Sequence, residues 1–321
     1  MTQESVAQGG AGSARPTRTR AAVGFVMAAT FVMAFQDAIV KFVSADLPLW
    51  QIFTLRSLIA IALLTALLFL GIGGQGLRPR APGWVLLRGA LLVAMYVAFY
   101  AALPFVELSV VAAAYYTGPL FIALFAALLI GERLTRRQGL GILLGFAGVL
   151  VILQPGGEGF SAAMLIPIAS AVFYALAMVL TRGRCVGETA ISLSIALNLC
   201  FIACGLAMTG LLLLANLPPA AAQRYPFLLG AWVPMGAWEW GVLGLLALLN
   251  VWIHLMLARA YQTGVAPVVA SFDYSYLVFA VLWGYLLLAE LPTLATLVGM
   301  AMIAAAGLLS ILRGRRARPV E

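Results

Sequence analysis

Three charged side chains fall inside the first two apolar stretches of the sequence, within FVMAFQDAIVKFVSADLPLWQIFTLR. Asp37 and Lys41 are four residues apart, so on a helix they share one face and can form an ion pair. Arg56 follows in the next apolar stretch. Because a charge at the centre of a bilayer costs about 2.5–3.5 kcal/mol on insertion scales, such residues are expected to line a polar interior.

The three residues are predicted to lie at a similar depth, where they carry one more positive than negative charge. We therefore predict a binding site for an anionic or zwitterionic solute, in which Asp37, Lys41 and Arg56 take part. The alternative is a structural ion pair between Asp37 and Lys41, together with an arginine that snorkels towards water.

A second candidate lies in the sequence VAPVVASFDYSYL. Pro267 removes a backbone donor and opens the helix before Asp273, and unpaired backbone groups at membrane depth are tolerated only beside a cavity. Asp273 is expected to line the transport pathway, and Asp273 or Asp37 to couple transport to protons. The alternative for Asp273 is a neutral carboxyl group held by a tyrosine hydroxyl.

Several polar and aromatic residues at membrane depth are further candidates for contacts with a solute. They are Gln36, Tyr115, Tyr116, Tyr174 and Tyr276, with Tyr96, Tyr100, Asn198, Asn250 and His254 as weaker ones. Packing is the alternative for each tyrosine, since aromatic side chains fill protein cores more often than they bind ligands. The three cysteines have no CxxC spacing, so no metal or cofactor is predicted.

The composition indicates how these residues are positioned. The chain is 64% hydrophobic and only 9% charged, whereas soluble domains are about 25% charged. Apolar stretches of roughly 20 residues, long enough to cross a bilayer, recur along the chain, and we predict an all-α polytopic membrane protein. The ten predicted membrane helices are 22–44, 48–71, 84–104, 108–130, 137–154, 161–181, 189–215, 237–258, 264–288 and 293–312.

The basic residues predict the orientation in the membrane. Sixteen arginines fall on the side of the N-terminus and only Arg224 falls in a loop on the other side, which is a strong positive-inside signal. Both termini are expected in the cytoplasm, with a disordered tail at 1–21 and a basic tail at 313–321. This distribution explains the net charge of +8 without nucleic-acid binding.

The two halves of the chain show a weak internal repeat. When 102–154 is laid over 260–312, Glu132 meets Glu290 and Gly141 meets Gly299. Each half, 22–154 and 161–312, has five predicted helices, so the second half is expected to be inverted, as in secondary transporters. The same shift sets Asp273 opposite Tyr115, close to the point where Gly118-Pro119 is expected to interrupt the fourth helix.

Two smaller features of the repeat are interpreted structurally. Glu132 and Glu290 are expected at helix ends on opposite faces, where they cap a helix or pair with loop arginines. Gly141 and Gly145 have GxxxG spacing, which allows close helix packing. We interpret this glycine stripe as a candidate seam for a homodimer.

Two segments carry a resemblance to a known family. They are TGPLFIALFAALLIGERLTRRQGLGILLGFAGVLVIL (117–153) and SYLVFAVLWGYLLLAELPTLATLVGMAMIAAAGLL (275–309). Both resemble the drug/metabolite transporter superfamily of the EamA type, with Gly131-Glu132-Arg133 closer to the family pattern than Ala289-Glu290-Leu291. The resemblance implies a carrier with ten helices. Asp37-x-x-x-Lys41, followed by Leu-Pro and Arg56-Ser57, also resembles a branch that contains S-adenosylmethionine and riboflavin uptake carriers.

These observations predict a secondary active transporter in the bacterial cytoplasmic membrane. It would move a small zwitterionic or anionic metabolite, such as an amino-acid-like solute, S-adenosylmethionine or a flavin, by alternating access. The expected partners are this solute, membrane lipids and a second copy of the chain. The alternatives are a membrane-embedded lipid-modifying enzyme, which would need a cluster of catalytic acids or histidines, and a flippase for lipid-linked sugars.

Overall fold

The regular structure of the chain is helical throughout the part that a computed structural model describes, residues 14–70, 79–130, 136–155, 161–185, 188–215, 217–263 and 272–311. Two 3-10 turns, Val43–Ala45 and Ala162–Leu165, accompany the helices. The helices are α1 Ala14–Phe42, α2 Leu49–Phe69, α3 Pro82–Ala102, α4 Leu108–Tyr115, α5 Gly118–Ile130, α6 Arg136–Leu153, α7 Ile166–Arg184, α8 Ala190–Ala215, α9 Pro219–Arg224, α10 Pro226–Leu229, α11 Ala237–Thr263, α12 Ser275–Leu288 and α13 Leu294–Ile311.

The membrane-spanning character of the helices agrees with the sequence. Within the described part of the chain, six helices are long and apolar enough to cross a membrane, and four shorter apolar helices accompany them. The most exposed side chains on the spans include Phe69 and Leu214, which suits contact with lipid. The prediction of an all-α polytopic membrane protein is therefore confirmed.

The first helix begins earlier than predicted. α1 starts at Ala14, eight residues before the predicted start of the first membrane helix at residue 22, while the disordered tail stays a prediction. The first 13 residues, the basic tail at 313–321, the motif that contains Glu132, and Pro267 all lie outside the described residues.

The fourth span is interrupted, as its sequence predicts. α4 ends at Tyr115 and α5 begins at Gly118, with Pro119 at its second position, where a missing amide hydrogen costs no helical hydrogen bond. The Thr117 hydroxyl donates to the carbonyl oxygen of Ala114 at 2.6 Å across the break. The break leaves Tyr115 and Tyr116 at the end of a short helix in the interior of the bundle.

One end of the bundle, here called the Lys41 end, is where α1, α3, α8 and α12 end and where α2, α4 and α11 begin. The short helices α9 and α10 lie across it. Trp50 donates from its indole nitrogen to the carbonyl oxygen of Leu228 at 2.7 Å, and Gln51 exchanges two hydrogen bonds with the backbone of Val233. These hydrogen bonds fasten the segment between α8 and α11 to the start of α2. The other end is called the Arg88 end.

The main helix contacts join the first half of the chain to the second. α1 packs on α11 and α12, α2 on α8, α3 on α7 and α11 on α2, while α6 and α13 form the most extensive pair. A two-fold axis relating the halves would exchange α1 with α7 and α3 with α11. The α1–α11 pair would then become the α3–α7 pair. Both of these pairs occur, and the inverted repeat itself stays a prediction.

Glycines bring the backbones of α6 and α13 together. A methyl group on Gly148 would lie 2.9 Å from the carbonyl oxygen of Gly299, and one on Gly299 would lie 2.6 Å from that of Gly148. Gly145 faces Leu120 and Ala306. The glycine stripe is therefore covered within the chain and is not a free dimer seam, while the homodimer itself stays a prediction.

Candidate functional site

The carboxylate of Asp37 lies in the interior and connects three helices. Its Oδ1 accepts a hydrogen bond from the Tyr100 hydroxyl of α3 at 3.0 Å, and its Oδ2 accepts one from the Tyr276 hydroxyl of α12 at 2.6 Å. All three residues are buried. Because each oxygen has its own O–H donor, the arrangement suits a carboxylate, which only accepts hydrogen bonds. It also ties the two halves of the chain together.

Lys41 pairs with Glu290 rather than with Asp37, so the predicted ion pair on one helix face is wrong. Its ammonium group forms a salt bridge with Glu290 and donates to the carbonyl oxygen of Val106. The reason is the packing of α12 against α1, which brings Glu290 within reach of Lys41. The long lysine side chain instead reaches the turn that follows α12.

The turn after α12 sets the position of Glu290. Ala289 has a left-handed backbone conformation with φ of 54°. The backbone amide of Glu290 donates a hydrogen bond to the carbonyl oxygen of Gly284 at 3.0 Å. Glu290 Oε2 then accepts from the amide of Leu108, in the first turn of α4, at 2.8 Å. The predicted structural role of Glu290 is present, with a lysine in place of a loop arginine.

Arg56 is fully buried in α2, with 1% of its surface exposed. Its guanidinium carbon lies 5.8 Å from the centroid of the Phe53 ring and 5.1 Å from that of Phe201, close enough for cation–π attraction. Among the described residues, its Nη1 has no hydrogen-bond partner. Arg56 interacts electrostatically with Asp37, so a buried guanidinium with spare hydrogen-bonding capacity lies near the carboxylate.

A small cavity surrounds Asp37 and is called the Asp37 cavity. Its volume is about 30 Å³, which is room for one or two water molecules. Four of the predicted site residues line it, together with the weaker candidate Tyr96 and three residues that the sequence analysis missed. The lining residues are Met33, Gln36, Asp37, Met95, Tyr96, Phe99, Tyr115 and Tyr276.

Helical spacing could have identified the missed residues. Met33 is one turn before Asp37 on α1, and Met95 and Phe99 are four residues apart on α3, so each shares a face with a neighbouring lining residue. Apolar types at these positions gave no chemical signal. The buried amide oxygen of Gln36 accepts no hydrogen bond from a described residue.

Two predicted tyrosines support the cavity without lining it. The Tyr116 ring stacks on Tyr276 with centroids 5.1 Å apart and an interplanar angle of 19°. The Tyr174 ring packs on Tyr115 at 5.3 Å. The aromatic rings thus form a continuous group that draws α4, α7 and α12 together.

The remaining candidates lie away from the Asp37 cavity. Asp273 is partly exposed and lines neither this cavity nor the larger one described below, although it interacts electrostatically with Tyr115 and Tyr116. Asn198 and His254 each bond to a backbone oxygen one helical turn earlier, at 2.9 and 2.7 Å, as structural residues do.

A larger cavity of about 760 Å³ opens at the Lys41 end and is called the vestibule. The ends of α1, α3 and α12 and the segment 224–228 form its walls, with Lys41, Arg224 and Glu290 as the charged lining residues. Lys41 is one turn along α1 from Asp37, so the Lys41–Glu290 pair lies in the wall of the vestibule, one helical turn from a residue of the Asp37 cavity. Burial, and then the Glu290 carboxylate, raise the pKa of the neighbouring Glu107.

Comparison with known proteins finds similar membrane transporters and a similar fold. Residues 20–154 match the EamA-like transporter family. A solved crystal structure has the same fold, with a TM-score of 0.58 over 92% of this chain and 96% of that chain, at 22% sequence identity.

The chain is also similar to several named transporters over most of their length. It is 28% identical to the pseudopaline exporter of Pseudomonas aeruginosa, over 87% of this chain and 91% of the exporter. It is 28% identical to the riboflavin transporter of Vibrio cholerae (76% and 77%) and 24% identical to the S-adenosylmethionine uptake transporter of Rickettsia bellii (76% and 78%). These comparisons indicate a membrane transporter of small molecules, and residues 20–154 are similar to the EamA-like transporter family.

Proposed function

We propose that this protein is a secondary active transporter that moves a small zwitterionic or anionic organic metabolite across the bacterial cytoplasmic membrane. The observation that carries the proposal is the presence of two buried side chains of opposite charge, Asp37 and Arg56, in the interior of the bundle. Asp37 lies in a cavity between the two halves, and Arg56, within its electrostatic range, keeps an unpartnered nitrogen. Intramembrane charges of this kind mark substrate and ion pathways.

The named relatives support an organic metabolite as the solute. Their names give pseudopaline, riboflavin and S-adenosylmethionine as what those proteins move. We propose a solute of the same general kind, with a carboxylate or similar anionic group that hydrogen-bonds to Arg56. A guanidinium suits this role because its planar donors match the two oxygens of a carboxylate.

Alternating access is proposed from the positions of the two cavities. The vestibule is open at the Lys41 end, and the Lys41–Glu290 pair lies in its wall. We propose that this pair closes the vestibule off from the Asp37 cavity. In our proposal the halves 22–154 and 161–312 rock as inverted repeats, so this pair breaks when the site opens to the vestibule. The distribution of arginines supports a cytoplasmic Arg88 end and a vestibule that faces outward.

Proton coupling is proposed to use two carboxyl groups at membrane depth. Asp37 is buried and lines the cavity, and the partly exposed Asp273 interacts electrostatically with Tyr115, one of the lining residues. A carboxyl group that is buried in one state and hydrated in the other changes its pKa between the two states. It can therefore bind and release a proton as access alternates. Transport that responds to an imposed pH gradient, and loses this response in Asp273→Asn or Asp37→Asn, is the expected result.

The test of the proposed function is uptake into proteoliposomes. Radiolabelled amino acids, S-adenosylmethionine and riboflavin are compared in the wild-type protein and in Arg56→Met. Arg224→Met is the matched control, because it removes an arginine from the vestibule without touching the interior. We expect uptake of a carboxylate-bearing solute to fall at least tenfold in Arg56→Met alone. Equal uptake in all three proteins would contradict the proposed site.

A further inference from the structure

The chemistry of the Asp37 cavity is that of a site for a positive charge. Asp37 supplies a carboxylate, Gln36 supplies an unpartnered buried amide oxygen, and Met33 and Met95 supply thioether sulfurs, which are weak acceptors. No described residue that lines the cavity is basic. The Tyr276 hydroxyl is already used as a donor to Asp37. A group that brings its own N–H donors and positive charge therefore fits better than an anion.

The aromatic walls of the Asp37 cavity also favour a positively charged group. The rings of Tyr96, Phe99, Tyr115 and Tyr276 line the cavity, and a cation near aromatic rings is attracted by about 0.5–2 kcal/mol or more when desolvated. Their neighbours hold them in place: Tyr276 stacks on Tyr116, and Phe99 packs edge-on against Tyr115 at 5.6 Å. The cavity thus combines one counter-ion with a preformed group of rings.

The size of the cavity selects the kind of cation. A volume of about 30 Å³ accepts a group close to the size of water, which describes a primary ammonium group and excludes a bulky quaternary one. A hard metal cation would need a shell of about six or more oxygens, whereas this lining offers mainly rings and thioethers. Arg56 lines neither cavity, so it does not repel a cation there, and in our proposal it contacts a different part of the same solute when the halves rock.

We propose that the Asp37 cavity is an aromatic cage that binds the primary ammonium group of a zwitterionic solute, with Asp37 as the counter-ion. This inference rests on the proposed function and narrows it, because it places the cationic group at Asp37 and leaves the anionic group for Arg56. Solutes that are purely anionic are then poor substrates. Amino-acid-like solutes with a free amino group are good ones.

The test uses methylammonium chloride as the probe and the thermal unfolding of the purified protein in nanodiscs as the readout. Sodium chloride and potassium chloride at equal concentration serve as comparators. We expect methylammonium to raise the Tm in a saturable way, and the shift to vanish in Asp37→Asn. Asp46→Asn is the matched control, because it makes the same change at an exposed turn and should keep the shift.

A second pair of variants keeps the test decisive if Asp37→Asn is poorly folded. Tyr96→Phe preserves an aromatic ring and should keep the methylammonium shift, whereas Tyr96→Leu should weaken it several-fold. An equal increase in Tm with sodium or potassium, or a methylammonium-induced increase that persists in Asp37→Asn, would contradict the proposed aromatic cage. Because the readout needs no transport, loss of the cage and failure of the proposed transport can be told apart.

Discussion

Asp37 and Tyr276 are 239 residues apart in the chain, and their side chains meet at 2.6 Å in the middle of the bundle. The contact joins a carboxylate from the first helix to a hydroxyl from the second half. A hydrogen bond to a charged group contributes about 1.5–3 kcal/mol, so this contact stabilises the packing of the two halves. Both residues also line the Asp37 cavity.

Tyr276→Phe is expected to lower stability and to alter the site, since it removes the closer of the two donors to Asp37 while keeping the ring that stacks on Tyr116. We expect the Tm in nanodiscs to fall by a few degrees and solute affinity to change. Tyr100→Phe is the matched variant and removes the longer bond. A double variant whose loss equals the sum of the single losses would show that the two hydroxyls act independently.

Breaking the Lys41–Glu290 pair is expected to expose the lysine. Lys41 is the only lysine in the chain, so an amine-reactive reagent has a single side-chain target. Glu290→Gln keeps an acceptor for the amide of Leu108 but removes the charge. We expect the modification rate of Lys41, measured by peptide mass spectrometry against the N-terminal amine, to rise several-fold.

Arg224→Gln is the control for the lysine measurement, since it removes a charge from the vestibule without touching the pair. The Lys41 rate should stay within about two-fold of wild type. An unchanged rate in Glu290→Gln would argue against the pair as the closure between the vestibule and the Asp37 cavity.

Gly307→Ala is expected to displace the ring of Tyr274. A methyl group at Gly307 would lie 1.8 Å from the Tyr274 hydroxyl oxygen, so the ring must move against Tyr116, whose centroid lies 5.5 Å away. Overpacking of this kind costs about 1–3 kcal/mol. We expect a lower Tm and weaker solute binding.

Gly210→Ala is the control for Gly307→Ala, and it tests whether replacing any helical glycine by alanine lowers the Tm. Gly210 lies in α8 with nothing close to its open side, and alanine favours helices over glycine by about 1 kcal/mol. The Tm should stay the same or rise. A Tm in Gly307→Ala that matches the one in Gly210→Ala would contradict the close packing of Tyr274.

Ala289→Gly is expected to stabilise the protein. Ala289 adopts φ of 54° at the end of α12, and a left-handed residue with a Cβ costs about 1–2 kcal/mol relative to glycine. The replacement should raise the Tm by a few degrees while transport is retained. A decrease in Tm would indicate that the side chain of Ala289 makes a contact worth more than the strain.

The sequence predicts the local part of this structure well, and the reason is physical. The spans follow from apolar length, and the interruption before Gly118 follows from Gly118-Pro119. Arg56 is predicted as buried because so few charges occur in the chain. Each of these inferences depends on neighbouring residues alone.

The partners of the charged residues could not be predicted in the same way. Spacing suggests that Asp37 meets Lys41, yet Glu290, 249 residues away from Lys41, is the actual partner. A long side chain at a helix end can reach several elements, and only the packing of α12 against α1 decides which acid it meets. The roles of Met33, Met95 and Phe99 depend equally on tertiary packing, because their residue types carry no charge or hydrogen-bonding signal.

The dominance of contacts between the halves has a consequence for how the protein is made. Because α1, α2, α3 and α6 find their main partners in the second half, a ribosome that has produced only the first half has inserted helices whose packing surfaces still face lipid. Assembly of the bundle must wait for α7 to α13. A chain that stops near residue 155 is then expected to be inserted and degraded, and co-expression of the missing half should rescue it.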